Sequence, residues 1–430
     1  MKCSVALCII TYERSELIRD FLESCADYYT EYGVDIYIYD SSRDEDTRRL
    51  VQQWPCQKHL FYVHMSSELS LYKKEWKIFQ TYGEKQKYDF LWLSNDSTQY
   101  SREDLRKILS AMETSYDYIV FDNEPGIGTQ VFTDPEKLFM TYCEAYHVGA
   151  SMVNVHTMLA NVDWGRYETV FMPDGGETFL FYYNRFLEIE TFRALHIEIT
   201  ARRMSALKTR SVYNGDNVQA ALNVIHAFGQ LPDHYTRKWE ICRRFNAEAL
   251  MYNLSDVLLY RKQGVFTLKR VLRHWRLWDK ITYIPRWKLL LVAMLPQKGL
   301  IRWSDRQKAR GLKRLRQFYA KHRQIAVYGA GNHGAAFGQY LENHDLPVAF
   351  YCVSRRKPGK YEFMGRPVRV FDELAEEKDG TGFIVALAKR NAPQVLPELM
   401  RTVGEEHVFY DTLYETKIRE EVGYQSYSAI

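Results

Sequence analysis

Residues 4–14 read SVALCIITYER and residues 88–98 read YDFLWLSNDST. Each is a short apolar run that breaks off in a polar cluster, the signature of a strand buried on both faces that delivers side chains at its carboxyl end. After the first, Leu17, Ile18, Phe21 and Leu22 fall on one helical face, with Ser15 as the candidate cap. Further apolar runs at Ile36 to Tyr39, Leu60 to Val63 and Tyr118 to Phe121 alternate with helical patterns. That alternation predicts an α/β domain with strands running side by side in parallel.

In open α/β sheets, ligands bind outside the carboxyl ends of strands. This singles out Thr11, Tyr12, Glu13 and Arg14 after the first strand, and Asp40, Ser41 and Asp44 after the second, VDIYIYD. An Asp at such an end can accept the imide proton of uracil or thymine, although Ser, Asp and Arg after a strand are also ordinary turn residues. The third strand ends in Ser94, Asn95 and Asp96. A carboxylate at that position is the hard oxygen ligand preferred by a divalent cation that offsets a diphosphate.

The order TYER, DSSRDEDTRRLV, SNDS resembles the family 2 glycosyltransferases of the GT-A fold over about the first 200 residues. The resemblance implies a mixed GT-A-like sheet flanked by helices and an inverting, metal-assisted transfer of a sugar from a nucleoside diphosphate sugar, a UDP-sugar first. The acceptor would be a surface polysaccharide or a lipid-linked glycan. It further implies that Thr11 and Glu13 flank the nucleoside, that Asp40 reads the base, and that Asp96 holds Mg²⁺ or Mn²⁺ on the diphosphate. The sequence departs from the D-x-D metal motif at Ser94, so metal binding at Asp96 would be weaker or lean on Asn95 and a later residue. Lys73 and Lys74 lie where the family often places a basic residue near the phosphates, and they also suit a solvated helix face. His147 to Ser151 resembles the family's small-residue strand. Pro173 to Thr178 resembles its acidic segment, where Asp174 or Glu177 would take the acceptor's proton. Acids also gather at helix starts for electrostatic reasons alone. The histidines have no ligand-like spacing, although His196 follows the acidic segment.

The chain has 430 residues, of which 46% are hydrophobic, enough for more than one core. The division expected is 1–230, a basic helical connector 231–323, and a second α/β domain 324–430. Residues 261–323 hold 19 Lys and Arg against Asp279 and Asp305, a local net of +17, so a total of +4 leaves −13 elsewhere. Arginine and lysine interleaved with Trp and Leu suit an anionic membrane surface, and equally an intramolecular or homo-oligomeric interface with the acidic remainder. No nucleic-acid motif accompanies them. Seven scattered cysteines without a CxxC pair point to a reducing, cytoplasmic setting rather than a disulfide framework or zinc site. The apolar start lacks a small-residue cleavage site, and no run is long enough to span a bilayer.

From Ile325 the sequence IAVYGAGNHGAAFGQYLENH places Gly329, Gly331 and Gly334 between a strand and a helix, the context in which a glycine loop approaches a pyrophosphate. The next strand lacks the acid that would hold a ribose and ends in Ser354, Arg355 and Arg356. With MGRPVRVFDEL and GFIVALA, this region resembles the Rossmann-like domain of PglD-type sugar acetyltransferases. That implies a nucleotide-sized pocket without hydride transfer. Two competing readings follow: an NAD(P)-dependent sugar-nucleotide oxidoreductase centred on 325–415, and a glycosyltransferase-like scaffold without turnover.

Overall fold

The computed structural model describes residues 3–55, 58–122, 128–141, 149–171, 178–199, 202–204, 217–231, 233, 235–249, 254–354, 361–374, 380–387, 392–411, 418 and 422. They gather into two compact units that divide between Met294 and Leu295. The expected connector contributes the helices Lys238–Ala249 through Arg286–Met294 to the first unit and the helix Gln297–Tyr319 to the second.

In the first unit the strands are β1 (Val5–Thr11), β2 (Val34–Asp40), β3 (Leu60–His64), β4 (Phe90–Asn95), β5 (Thr98–Tyr100), β6 (Tyr118–Asp122), β7 (Gln130–Phe132), β8 (Ser151–Asn154), β9 (Ala194–Glu198) and β10 (Arg202–Met204). The main sheet has the order β3-β2-β1-β4-β8-β6-β9-β7, and β5 pairs with β10 apart from it. The first four strands are parallel, and β8 enters antiparallel to both β4 and β6. The sheet is therefore mixed, as the expected fold class requires.

The chain winds from β1 outward to β3 and then crosses back to place β4 on the other side of β1. Between β1 and β4 the winding reverses, which opens a crevice at their carboxyl ends. The parallel register is set at the opposite end. There the Asp89 carboxylate accepts from Ser4 N–H (2.7 Å) and the Ser4 hydroxyl (2.8 Å). Val5 then stands beside Phe90 and Ile10 beside Asn95.

One sheet face is covered by the helices Ser15–Phe21 and Asp46–Gln53, the other by Leu71–Lys85 and the aromatic layer around it. Ser15 does not cap its helix. Arg14 occupies the cap position, with no side-chain bond there. In the helix Leu71–Lys85, Ser70 does cap, accepting from Lys73 N–H at 3.4 Å, and Gln86 ends it in the left-handed region. Trp76 packs edge-on against Trp164 and Phe181. Gly83 lets this helix approach the chain at Leu159, because a Cβ there would stand 2.4 Å from the Leu159 carbonyl oxygen. At its other end, the first turn of the helix meets the chain after β2 through Lys74 and Ser41.

In the second unit the strands are β11 (Gln324–Tyr328), β12 (Phe350–Val353), β13 (Glu362–Phe363), β14 (Arg366–Val370), β15 (Thr381–Val385) and β16 (Val408–Phe409). Their order is β13-β14-β12-β11-β15-β16, parallel except for β13 at the edge. The strand, glycine loop and helix expected from Ile325 are present as β11 and the helix Asn332–Asn343.

Among the described residues no helix is long and apolar enough to cross a membrane. Within the first unit's basic segment, Leu272, Tyr283, Trp287, Leu291 and Met294 are exposed.

Candidate functional site

The polar ends of β1, β2 and β4 meet in one hydrogen-bonded cluster. Because Ile10 faces Asn95 in register, the next residues, Thr11 and Asp96, stand side by side, and the Thr11 hydroxyl donates to Asp96 Oδ2 at 2.9 Å. Arg14 donates from Nη1 to Asp96 Oδ1 at 3.2 Å. Asp96 is only 3% exposed, and that burial pushes its carboxyl up against the opposing pull of Arg14 and Thr11.

Thr11 is also in register with Asp40 on β2. Asp40 is fully buried. Its Oδ1 accepts from Ser42 N–H (2.9 Å) and the Ser42 hydroxyl (2.5 Å), and its Oδ2 accepts from the Tyr62 hydroxyl (3.0 Å). Ser42 Oγ in turn accepts from Glu13 N–H at 2.7 Å, which holds Glu13 in the left-handed region at φ 52°. Both oxygens are engaged by protein donors, three bonds in all. Here it organises the loop that follows β1.

Lys74 completes the cluster. Its Nζ donates to Ser41 Oγ at 2.6 Å, and Ser41 donates onward to the Thr11 carbonyl oxygen at 3.2 Å. Lys74 is 6% exposed, and its ammonium lies 5.6 Å from the ring centre of Tyr12, which is itself 37% exposed. Among the described residues Ser41 is its one hydrogen-bond acceptor. Burial lowers its pKa, and the nearby Asp40 carboxylate partly restores it. An ammonium taken out of water with one neutral acceptor is costly unless a further anion completes its coordination.

The structure thus brings together Thr11, Tyr12, Glu13, Arg14, Asp40, Ser41 and Asp96. Asp44 is exposed and bonds within its own turn, accepting from Asp46 N–H at 3.1 Å ahead of the helix Asp46–Gln53. Asn95 closes a turn, its Oδ1 accepting from Ser97 N–H (3.1 Å), Ser97 Oγ (2.8 Å) and Thr98 Oγ1 (2.9 Å). His196 is buried in β9 and donates from Nδ1 to the Gly128 carbonyl oxygen at 2.6 Å, a structural bond. Asp174 and Glu177 lie outside the described residues. In the stretch His147 to Ser151, Gly149 adopts φ +88°, and a Cβ there would stand 3.0 Å from Thr98 Oγ1 and 3.2 Å from Ser94 Oγ. Its carbonyl oxygen accepts from Trp92 and Tyr100, so β8 is seated on the SNDS turn.

Lys74 was the residue undervalued in the sequence. Lys73 is indeed exposed, but Lys74 shares the buried helix face with Glu75, Ile78, Phe79 and Tyr82. Spacing of three and four residues carries that signal. Ser42 lies within the quoted DSSRDEDTRRLV stretch, whereas Tyr62, which also holds Asp40, had no such signal.

A divalent metal was expected at Asp96, supported by Asn95 and a later residue. Ser94 donates to its neighbour's carbonyl oxygen at 3.3 Å, the Asn95 oxygen accepts three hydrogen bonds, and Asp96, the single carboxylate of the turn, is already paired with the Arg14 guanidinium. No group of three His, Cys, Asp or Glu among the described residues converges to hold a metal. A hard cation binds through several unprotonated oxygens. The described residues do not fit one in this arrangement.

In the second unit, Gly329 (φ +119°) donates its N–H to Cys352 O at 2.8 Å, and a Cβ on it would stand 2.5 Å from the Ala386 carbonyl oxygen. A Cβ on Gly334 would stand 1.9 Å from Gly329 O. Gly331 precedes the helix Asn332–Asn343 as its cap residue, without a side-chain bond. Close packing of helix on strand by itself requires Gly329 and Gly334. At the end of β12, Ser354 bonds the Tyr328 hydroxyl at 2.7 Å.

No family model and no curated protein sequence matches the chain. Among solved structures, glucosyl-3-phosphoglycerate synthase from Mycobacterium tuberculosis is similar at 11% identity and TM-score 0.35, covering 54% of this chain and 81% of its own. The same enzyme has been solved with Mn²⁺ and uridine-diphosphate-glucose. S. aureus TarS 1–349 is similar at 11% identity and TM-score 0.39, over 69% of this chain and 92% of its own. Mannosyl-3-phosphoglycerate synthase from Rubrobacter xylanophilus is similar at 12% identity and TM-score 0.34, over 54% and 77%. Likeness at this level says nothing of the reaction, which has to be argued from the residues of the cleft.

Proposed function

We propose that the first unit is a glycosyltransferase that binds a nucleoside diphosphate sugar at the carboxyl ends of β1, β2 and β4. The observation that carries this reading is the pair of cations, Arg14 and buried Lys74, tied to the strand ends where the winding of the sheet reverses. That is the place and the charge that a diphosphate requires. Tyr12, exposed beside Lys74, offers a flat surface to the nucleoside.

In the transfer, the glycosidic C–O bond to the diphosphate breaks and its electron pair stays on the diphosphate oxygen. Fixed cations stabilise the charge that develops there. The acceptor hydroxyl oxygen forms the new bond to the anomeric carbon. Its proton passes to a carboxylate, for which Asp174 and Glu177 remain the candidates. A UDP-sugar is the first donor to test, with a glycan or lipid-linked glycan as acceptor.

Thermal unfolding of the whole chain with UDP, GDP, CDP, ADP, dTDP, NAD and NADP tests the reading. Stabilisation by at least one nucleoside diphosphate is expected, rising with ligand concentration as mass action requires. A chain stabilised by NAD or NADP alone would move the chemistry to the second unit and sink the proposal.

A further inference from the structure

The one carboxylate of the SNDS turn is paired with a guanidinium, and a buried ammonium with a single hydrogen-bond acceptor among the described residues stands at the neighbouring strand end. We propose that Arg14 and Lys74 offset the charge of a nucleoside diphosphate in this protein, in place of a divalent metal at Asp96. The inference rests on the reading of the first unit as a nucleoside diphosphate site.

Arg14 lies against the Asp96 carboxylate, where the expected cation would sit, and engages it through a single N–H. A guanidinium stays charged at any working pH and carries five N–H donors in a planar fork suited to phosphate oxygens. Its remaining donors have no acceptor among the described residues. Asp96 accepts from the Thr11 hydroxyl on its other oxygen, so it acts as the bracket that ties Arg14, at the start of the following helix, to the end of β1.

Lys74 reaches the same strand end from the opposite side, through Ser41 to the Thr11 carbonyl oxygen. Its burial sets it apart from the exposed Lys73 next to it. An ammonium is a point-charge donor for phosphate, complementary to the fork of an arginine. The two cations are therefore anchored on either side of Thr11. Ser94, at the end of β4, is uncharged, so Asp96 is the one carboxylate of the SNDS turn that opposes an anion.

Calorimetric titration of the intact chain with UDP, GDP, CDP, ADP and dTDP, in EDTA and then in Mn²⁺, separates the two accounts. The tightest-binding diphosphate should bind in EDTA, with Mn²⁺ changing its affinity by no more than about threefold. Arg14→Gln and Lys74→Met should each weaken it by roughly ten- to a hundredfold, the loss of a charge-assisted bond, with Arg14→Lys recovering part of it. Asp96→Asn should bind in EDTA within about tenfold of wild type, because an amide oxygen still receives Thr11 or Arg14. Circular dichroism establishes that each variant is folded. Binding that needs Mn²⁺, disappears in Asp96→Asn and ignores Arg14→Gln would overturn the inference while leaving the site reading intact. Failure of every diphosphate, with and without Mn²⁺, would remove the site reading and this inference together.

Discussion

Replacing Lys74 by methionine exchanges a buried cation for an apolar side chain of similar length, and two opposing contributions decide the outcome. The bond from Nζ to Ser41 Oγ at 2.6 Å is lost, and hydrogen bonds to charged groups contribute about 1.5–3 kcal/mol. Against this, an ammonium at 6% exposure no longer has to be taken out of water, a cost of several kcal/mol that a single hydroxyl does not offset. Ser41 keeps its bond to Thr11, and Asp40 keeps Ser42 and Tyr62, so the loss on the polar side is the Nζ bond and the attraction between the ammonium and the Asp40 carboxylate. The net effect on the empty protein should fall within about 1 kcal/mol of zero, a change in melting temperature of at most roughly 4 °C. Scanning calorimetry without ligand and titration with UDP read the two consequences separately. Stability should hold while UDP affinity falls. A loss near 3 kcal/mol, roughly 6 °C or more, with UDP affinity unchanged would show Lys74 to be a structural partner of Asp40 and refute the reasoning. The pH dependence follows with its sign. Burial lowers the Lys74 pKa, so between that value and about 10.4 the unfolded chain binds more protons. The contribution of Lys74 to stability therefore rises with pH across that window. Anion binding, which needs the ammonium, fades across the same window, and Lys74→Met abolishes both trends.

Asp89 gives an acid-side counterpart. Burial pushes its carboxyl up, but the Ser4 N–H, the Ser4 hydroxyl and His156 outweigh that and hold it below the usual range. Its contribution is present above the unfolded value near 3.9 and is lost as pH falls through the depressed folded value. Asp89→Ala should cost about 1 kcal/mol at pH 7, reduced by its 29% exposure, and should flatten the acid limb of a urea-unfolding series. An unchanged acid limb would refute this. In the second unit, Gly334→Ala places a Cβ 1.9 Å from the Gly329 carbonyl oxygen and should destabilise that unit by about 1–3 kcal/mol or more. Hydrogen exchange in β11 and in the helix Asn332–Asn343 should quicken while UDP binding to the first unit stays intact. Unaltered exchange would mean that the glycine is not required for packing.

Local patterns in the sequence carried the class of fold and the positions of the strands along the chain, not their order in the sheet. Val5 to Ile10, Ile36 to Tyr39, Leu60 to Val63, Phe90 to Leu93 and Tyr118 to Phe121 are apolar runs whose length and flanks suit strands, and all five lie in strands of the main sheet. The polar residues that end β1, β2 and β4 were legible as a site for the same local reason. A strand buried on both faces has no other use for Arg14 or Asp96 than at its exit.

What those residues do for one another depends on partners far away in the chain, and only tertiary structure decides it. Thr11 and Asp96 are 85 residues apart and meet because Ser4 and Asp89 set the register at the other end of β1 and β4. Asp40 could be read as facing a base, yet Tyr62 on β3 and Ser42 turn it inward. Lys74 and Lys73 are the same residue type in adjacent positions, and the face that the packed helix turns inward decides which of them is buried. The sequence by itself determined which chemistry arrives at the strand ends, because side-chain periodicity is local. Whether a carboxylate there is free to hold a metal or already holds an arginine was decided by strand register and packing, which no stretch of the chain encodes alone.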